Sequence, residues 1–505
     1  MRHTSIALKA VCLAALVPAL LGGCTLAPKF ERPTPPLPSD WTTGGAAQSQ
    51  AGVKAQDWRE VITDGPTKQL VALALANNRD LRVALLNIEK AQATHAIKRA
   101  DLFPHIDATA AGDMSRSPAT LTSSGHPVTS HSYSVGLGFS AFELDLFGRL
   151  RSLNEQALEQ FLSTEANAKG VELTLVAQVA SAYMTLAADR EHLATAKEIL
   201  ETEQASYDLV KQRFENGIAN ELDLSQAQTT VDTARVSVAS YTSQVTQDEN
   251  SLAVLIGMPV TPEMTPAQKL ADIAPLAPVP AGLPSEVLTR RPDIVAAEHD
   301  LKAANAYVGA ARAMFFPSIS LTGSYGTASN EINGLFKSGS QQWAFAPQVN
   351  LPIFRAGSII AAVRYSKADR EVYIAQYEKA VQTAFREVSD TLAQGASLTN
   401  QVEAQSSLTK ATGKSYELAT LRYENGVDSY LTKLDSQRSY ASARQNLITA
   451  RLSQETNRLT LFKALGGGWN GQDEPEAAPL LRNAREAMEN GKPVAQATTT
   501  TVQTK

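Results

Sequence analysis

Residues 213–217 read Arg-Phe-Glu-Asn-Gly, and residues 422–426 read Arg-Tyr-Glu-Asn-Gly, 209 positions further along the chain. Three more pairs match at the same offset: Ser206-Tyr207 with Ser415-Tyr416, Ala234-Arg235 with Ala443-Arg444, and Gly257 with Gly466. Upstream, an offset of 213 aligns Ala100, Phe103 and Pro104 with Ala313, Phe316 and Pro317. A match this long indicates a duplication in which each copy forms one structural unit. We call residues 61–260 the first copy and residues 284–466 the second copy.

The first 23 residues have the pattern of a secretory signal peptide, with Arg2 and Lys9 before a short apolar run. Their ending, Leu21-Gly22-Gly23-Cys24, resembles a bacterial lipobox, in which the cysteine becomes the lipidated first residue. We therefore expect an N-palmitoyl chain and an S-diacylglycerol on Cys24, sufficient for stable anchoring, and no other cofactor. By the same resemblance, Thr25 in place of Asp favours the outer membrane. The alternative is a cleaved signal followed by an incidental cysteine.

Composition excludes several classes of protein. The net charge is −5 and the sequence pI is about 5.9, without a basic cluster, so nucleic acid is not an expected partner.

Residues 24–60 are rich in Pro, Thr, Gly and Ser, which is typical of an extended tether. No apolar run after residue 24 is long enough for a transmembrane helix, so we expect any membrane crossing to use strands.

Two segments alternate between apolar and polar residues with a period of two, one in each copy. Residues 105–144 and 318–352 both show this pattern over stretches of about ten residues, interrupted by a polar loop. Ten residues suit a tilted membrane strand. Each copy is therefore predicted to contain one β-hairpin.

The rest of each copy is helical in composition. Residues 148–216 and 358–425 contain no proline and few turn formers, which predicts two helices of roughly 100 Å. Shorter helices are predicted at 221–256 and 430–465, and others before each hairpin, the second at 293–313. Residues 467–505 are predicted to form a mobile tail.

Four membrane strands cannot close a barrel by themselves. An open sheet edge in lipid would leave backbone groups unpaired, so several copies of the chain must share one barrel. Two copies give eight strands with a filled interior, whereas three give twelve with room for a lumen. The Ser, Thr, Gly, Asn and Gln residues on the second strand face suit a wet lumen. We therefore expect a homotrimer.

One stretch carries a specific family resemblance. Leu288-x-Arg290-Arg291-Pro292-Asp293-Ile294, followed by Ala296-Ala297-Glu298 and later Phe316-Pro317, resembles the signature of TolC-like outer-membrane efflux factors, specifically their lipoprotein branch. Asp145-x-Phe147-Gly148-Arg149 is a further hallmark. The resemblance implies an α+β membrane protein: a trimeric twelve-stranded outer-membrane barrel continuous with a periplasmic α-helical barrel. It also implies two partners, a periplasmic adaptor and an inner-membrane pump of the resistance-nodulation-division class, in a tripartite multidrug export system.

The same resemblance implies a gate at the periplasmic mouth. The stretch from Tyr423 to Arg438 is similar to the segment that constricts the tunnel in the lipoprotein branch. Carried over, Leu431 and Asp435 form the closing rings, and Arg438 makes a tethering ion pair or hydrogen bond. Leu431 and Asp435 are four residues apart and thus share one helix face. The alternative for this Asp is a solvated helix face.

The turns between the long and short helices form the predicted adaptor-docking tips. Their alternative reading, as simple helix-to-helix turns, is compatible with docking. The tip residues are Asn216, Gly217, Asn220 and Glu221 in the first copy, and Asn425, Gly426 and Asp428 in the second.

Other classes of function find little support in the sequence. It contains no phosphate-binding Gly-x-x-x-x-Gly-Lys loop, His-Glu-x-x-His or Gly-x-Ser-x-Gly motif, so we do not expect an enzyme. The remaining alternative is a structural coiled-coil lipoprotein that spans the envelope without transport. Such a scaffold would show sustained heptads and no alternating strands, whereas this chain has four candidate strands.

Overall fold

The computed structural model describes residues 25–34, 57–123, 125–266, 269–273, 276–277 and 285–468. Cys24, most of the tether and the tail after residue 468 lie outside the described residues. The described helices are α1 (Trp58–Val61), α2 (Gly65–Asn77), α3 (Arg79–Ala100), α4 (Arg149–Glu215), α5 (Glu221–Ile256), α6 (Pro292–Ala313), α7 (Ser358–Glu424) and α8 (Tyr430–Ala464). The strands are β1 (Asp107–Ser117), β2 (Val128–Leu144), β3 (Ser318–Ser329) and β4 (Gln341–Asn350).

The chain forms two compact units, each assembled from separate segments. The first contains the described residues within Met1–Pro33, Glu89–Ser163 and Ala297–Tyr377. The second contains those within Thr34–Ile88, Thr164–Ala296 and Glu378–Lys505.

The first unit contains a four-stranded antiparallel sheet in the order β1-β2-β3-β4. Its register places one apolar row across all four strands: Ala108 pairs with Leu137, Leu137 with Tyr325, and Tyr325 with Trp343. Leu137, Tyr325 and Trp343 are 59%, 62% and 76% exposed in the single chain. One face of the sheet therefore presents large apolar side chains to its surroundings.

Two details shape the sheet. The β2–β3 register shifts between Phe139 and Phe142, where Ala141 has a φ of 51°. A β-bulge of this kind bends a strand near its end. Pro347 lies in β4 opposite Leu321 of β3, and it has no amide hydrogen to donate to a neighbouring strand.

The described N-terminal residues lie along α6 in the first unit. We call residues 25–32 the N-terminal strap. The Leu26 carbonyl accepts a 3.0 Å hydrogen bond from Arg312, the Pro28 carbonyl accepts one of 2.8 Å from Asn305, and Arg32 forms a 2.6 Å ion pair with Glu298. The strap thus runs antiparallel to α6.

The second unit has the main hydrophobic core. In this core, residues of α4, α5 and α8 pack against α1 and α2. Its buried members include Val61, Val71, Val179, Leu186, Leu252, Ile256, Leu459 and Phe462. Gly257 ends α5 in the left-handed conformation, with a φ of 72°, and its counterpart Gly466 has a φ of 90°. Glycine is favoured at such a helix end because it has no Cβ.

The expectation that no helical segment could span a membrane needs correction. One described helix, α4, contains an 18-residue stretch that is long and apolar enough by composition alone, and 61% of that stretch is buried inside the fold. Val179, Met184 and Leu186 lie in the core of the second unit, which accounts for its apolar character.

The side chain of Arg291, in the stretch that carries the family resemblance, joins several elements of the second unit. Its guanidinium donates hydrogen bonds of 2.7 Å to the Ala464 carbonyl and 2.8 Å to both Asp293 and Glu387. A buried arginine needs such partners to offset its desolvation. Arg291 therefore connects the first turn of α6 to α7 and to the end of α8.

Candidate functional site

The turns that follow the two long helices have the same backbone design. Gly217 has a φ of 70° and Gly426 a φ of 72°. Next to them, the Ile218 amide donates to the Arg213 carbonyl at 2.8 Å, and the Val427 amide to the Arg422 carbonyl at 2.9 Å. Each Asn-Gly pair therefore ends a long helix with a left-handed residue that turns the chain back.

Side chains cap both ends of each turn. Asn216 and Asn425 each donate a 2.7 Å hydrogen bond to a carbonyl four residues earlier. Asn220 accepts from the Asp223 amide at 2.9 Å and starts α5, while Ser429 accepts from the Thr432 amide at 3.3 Å and starts α8. The polar residues predicted for docking thus also hold the turns together.

Asp428 has a partner within its own turn. Arg422 donates hydrogen bonds of 2.6 and 3.0 Å to its carboxylate, and this guanidinium lowers the pKa of Asp428. The first copy has Ala219 at the equivalent position, so its arginine is free to bind elsewhere. Arg213 instead donates a 2.8 Å hydrogen bond to the hydroxyl of Tyr423. The two copies therefore diverge at the tips.

Apolar side chains protrude at these tips. Ile218 and Leu222 are 77% and 64% exposed, and their counterparts Val427 and Leu431 are 61% and 50% exposed. The other predicted tip residues are also exposed, except the half-buried Asp428. Exposed apolar groups beside polar turn residues are a typical composition for a protein-binding surface.

The three predicted gate residues lie together on one face of α8. Leu431, Asp435 and Arg438 are all exposed in the single chain, whereas Leu434 and Gln437 on the opposite face are buried. In the described residues of this one chain, Arg438 forms no ion pair or hydrogen bond. The structure of one chain thus places all three side chains where a neighbouring copy could reach them.

The buried face of α8 packs against α4 and holds residues that the sequence reasoning missed. Tyr430 and Leu434 form a small core with Val210 and Ala227. The Tyr423 ring lies 5.6 Å from the Tyr430 ring, and Arg213 and Lys433 approach its face at 5.2 and 5.5 Å. The sequence did contain a signal for this cluster, because an aromatic residue, Tyr430, stands where the first copy has Glu221.

Two buried charged groups lie beside this core. Lys433 and Glu203 are 9% and 5% exposed. Burial lowers the pKa of Lys433 and raises the pKa of Glu203, because both charged forms lose hydration. One oxygen of Glu203 has no hydrogen-bond partner, so the contact between α4 and α8 is less stable than its apolar core alone implies.

Comparison with known proteins gives a consistent result. The family model for "Outer membrane efflux protein" matches residues 70–258 and 283–467. The chain is 48% identical over 454 residues to the antibiotic efflux pump outer membrane protein ArpC of Pseudomonas putida, covering 89% of this chain and 94% of the relative.

Solved structures agree with the sequence match. A membrane protein from Pseudomonas aeruginosa has a TM-score of 0.84 at 39% identity, covering 90% of this chain and all of that one. The open state of the MtrE outer membrane channel of Neisseria gonorrhoeae has a TM-score of 0.79 at 36% identity, again covering 90% of this chain and all of the other.

Proposed function

This chain belongs to the outer membrane efflux protein family, and we propose that three copies of it form one gated duct, closed at its periplasmic end by Leu431 and Asp435. The protein is the outer-membrane channel of a tripartite efflux pump in a Gram-negative envelope, and it is a transport protein rather than an enzyme. The proposal concerns how the channel is assembled, closed and connected to its partners.

The observation that carries the proposal is the open sheet. In the described residues, β1 and β4 are the two edges of a four-stranded sheet. In lipid, the free amides and carbonyls of an edge have no water to bind. Pairing β4 of one copy with β1 of the next removes every edge. Three copies then give twelve strands, enough to surround an aqueous lumen.

The exposed side chains support this arrangement. The row of Leu137, Tyr325 and Trp343 suits the lipid-facing side of a barrel. On α3, the large apolar side chains of Val83, Leu86 and Ile97 are 57%, 49% and 64% exposed in the single chain. Exposed apolar surface of this kind is typical of a protein–protein contact. We assign them to contacts between copies.

The gate follows from three copies of one α8 surface. Leu431 rings would meet as an apolar plug and Asp435 rings as a negative constriction, both known devices for closing and selecting in pores. Arg438, which lies one turn beyond Asp435, forms no ion pair or hydrogen bond within the described residues of its own chain and is exposed, so it can bind a neighbouring copy. This assignment places both rings on α8.

The partners follow from the tips and from the family. We assign the exposed tip residues of both copies, including Ile218 and Val427, to docking of a periplasmic adaptor. An inner-membrane pump of the resistance-nodulation-division class supplies the energy and selects the cargo. The relative ArpC is described as part of an antibiotic efflux pump, and antibiotics are the cargo that we propose for this channel. A lipid anchor on Cys24 completes the attachment to the outer membrane.

The test combines mass with conductance. Detergent-purified protein is expected to have the mass of three chains and to form channels in planar bilayers that are mostly closed. A monomer without conductance, even with Asp435→Ala, would contradict the trimeric duct. A trimer that conducts fully at rest would support the shared barrel and contradict the proposed gate.

A further inference from the structure

The first copy contains a pair of facing carboxyl groups that the channel function does not use. Asp189 lies on α4 and Asp248 on α5, and the two side chains meet between these antiparallel helices. One oxygen of Asp248 accepts a 3.1 Å hydrogen bond from Gln244. The other, Oδ2, is buried and has no hydrogen-bond partner.

An unpaired buried carboxylate oxygen beside a second carboxyl group is unfavourable when both are ionised. A carboxylate can only accept hydrogen bonds, so neither group can satisfy the other without a proton. One shared proton provides the missing donor and removes one of the two like charges. We propose that Asp189 and Asp248 share a proton at neutral pH, and that this proton makes the α4–α5 pair tighter in acid than in alkali.

The neighbouring Arg190 and His192 do not neutralise the negative charge of this carboxyl pair. Arg190 binds Glu249 at 2.8 Å and the Pro266 carbonyl at 3.1 Å, so its charge is directed away from the two carboxyls. His192 is buried and stacks on Tyr241 at 5.1 Å. Burial lowers the pKa of His192, so this ring is neutral at physiological pH.

The titration of the pair agrees with the geometry. Burial, and next the adjacent Asp248 carboxyl, raise the pKa of Asp189 from 3.8 to about 7. The folded pKa is therefore above the unfolded one. The stabilising contribution is fully present below pH 3.8 and is lost as the pH rises through about 7. A periplasm that follows the pH of its surroundings would cross this range.

The second copy provides an internal comparison. At the same offset of 209, Asp189 corresponds to Leu398 and Asp248 to Asn457. Leu398 and Asn457 are 5% and 8% exposed, and Asn457 donates a 3.1 Å hydrogen bond to Gln394. The equivalent α7–α8 contact is thus neutral and satisfied. Of these two equivalent contacts, the one with a carboxyl pair belongs to the helix pair without the gate residues.

Hydrogen exchange of the full-length protein tests the proposal. After correction for the intrinsic effect of pH, protection of the α4–α5 amides around residues 189 and 248 is expected to fall several-fold between pH 5.5 and 8. The amides around residues 398 and 457 are expected to change little. Asp189→Asn and Asp248→Asn copy the neutral chemistry of the second copy and should abolish the pH dependence.

Two further measurements separate proton sharing from a structural role. At pH 6, the infrared absorption of protonated carboxyl groups should be weaker in Asp189→Asn than in the unmodified protein. Asp232→Asn removes an exposed α5 carboxylate that, like Asp248, accepts a hydrogen bond from a glutamine four residues earlier, and it should leave both the absorption and the pH dependence intact. The proposal is overturned if Asp189→Asn does not weaken the absorption, if wild-type protection does not vary with pH, or if Asp232→Asn abolishes the variation.

Discussion

Arg213 donates a 2.8 Å hydrogen bond to the hydroxyl of Tyr423, across a sequence separation of 210 residues. This contact ties the last turn of α4 to the last turn of α7. The same guanidinium lies 5.2 Å from the ring centre of Tyr423. It therefore links the tips of the two long helices within one chain.

Tyr423→Phe should weaken this link while keeping the ring. A hydrogen bond from a charged donor is worth about 1.5–3 kcal/mol when shielded, and the partial exposure here favours the lower end. We expect more frequent channel openings in planar bilayers, by roughly tenfold if about 1.4 kcal/mol is lost. Phe214→Tyr, at the equivalent position of the first copy, is the control and should leave opening unchanged. Equal gating in Tyr423→Phe and wild type would contradict the prediction.

Asp435→Ala should raise the resting conductance, because three negative side chains leave the proposed constriction. The matched control is Gln226→Ala, at the corresponding position of α5 in the first copy. Both residues lie on the shorter helix of their pair, so a general effect on helix packing would appear in both variants. Single-channel recording distinguishes the two. An unchanged conductance in Asp435→Ala would remove this residue from the gate.

Acid should loosen the second tip but not the first. Arg422 lowers the pKa of Asp428 below its ordinary value of 3.8, so the ion pair stabilises the turn above that pH. The stabilisation is lost as the pH falls through the lowered folded value. Hydrogen exchange at residues 426–430 should therefore accelerate, relative to residues 217–221, in strong acid. Asp428→Asn should show the faster exchange already at neutral pH.

Gly309→Ala should displace the N-terminal strap. A Cβ at this helical position would lie 2.7 Å from the Ala27 nitrogen, closer than real contacts allow. Gly170→Ala is the matched control, because its Cβ would meet only Pro292, at 3.6 Å. Alanine is favoured over glycine in a helix by about 1 kcal/mol, so the control should be slightly more stable than wild type.

Limited proteolysis distinguishes these two variants. Cleavage within residues 25–32 is expected to be faster in Gly309→Ala and unchanged in Gly170→Ala. If both variants resist cleavage equally, the strap does not depend on the absence of a side chain at residue 309.

Local patterns in the sequence predicted much of the element order. The two-residue alternation in 318–352 indicated a hairpin, and the structure has β3 at Ser318–Ser329 and β4 at Gln341–Asn350. Alternation is visible in a sequence because successive strand side chains point to opposite faces. The Asn-Gly pairs indicated turns, since glycine tolerates a positive φ. The resemblance, rather than any local pattern, pointed to Leu431 and Asp435.

Contacts between distant residues came only from the tertiary structure. Arg213 meets Tyr423, Asp189 meets Asp248, and the strap meets α6. These pairings depend on how neighbouring segments align along their lengths, which helical periodicity leaves open by whole turns. The apolar stretch of α4 is a similar case, because its assignment to a core rather than a membrane follows from its burial.

The sequence by itself determined a duplicated chain with two hairpins, two long–short helix pairs and a family signature, because turn chemistry and periodicity act over a few residues. The tertiary structure decided where the copies differ in their interactions. Arg422 closes its own turn on Asp428, whereas Arg213 reaches another helix, because Ala219 offers it no carboxylate. Proton sharing in one helix pair likewise needs two side chains to be close in space, a relationship that distance along the chain does not encode.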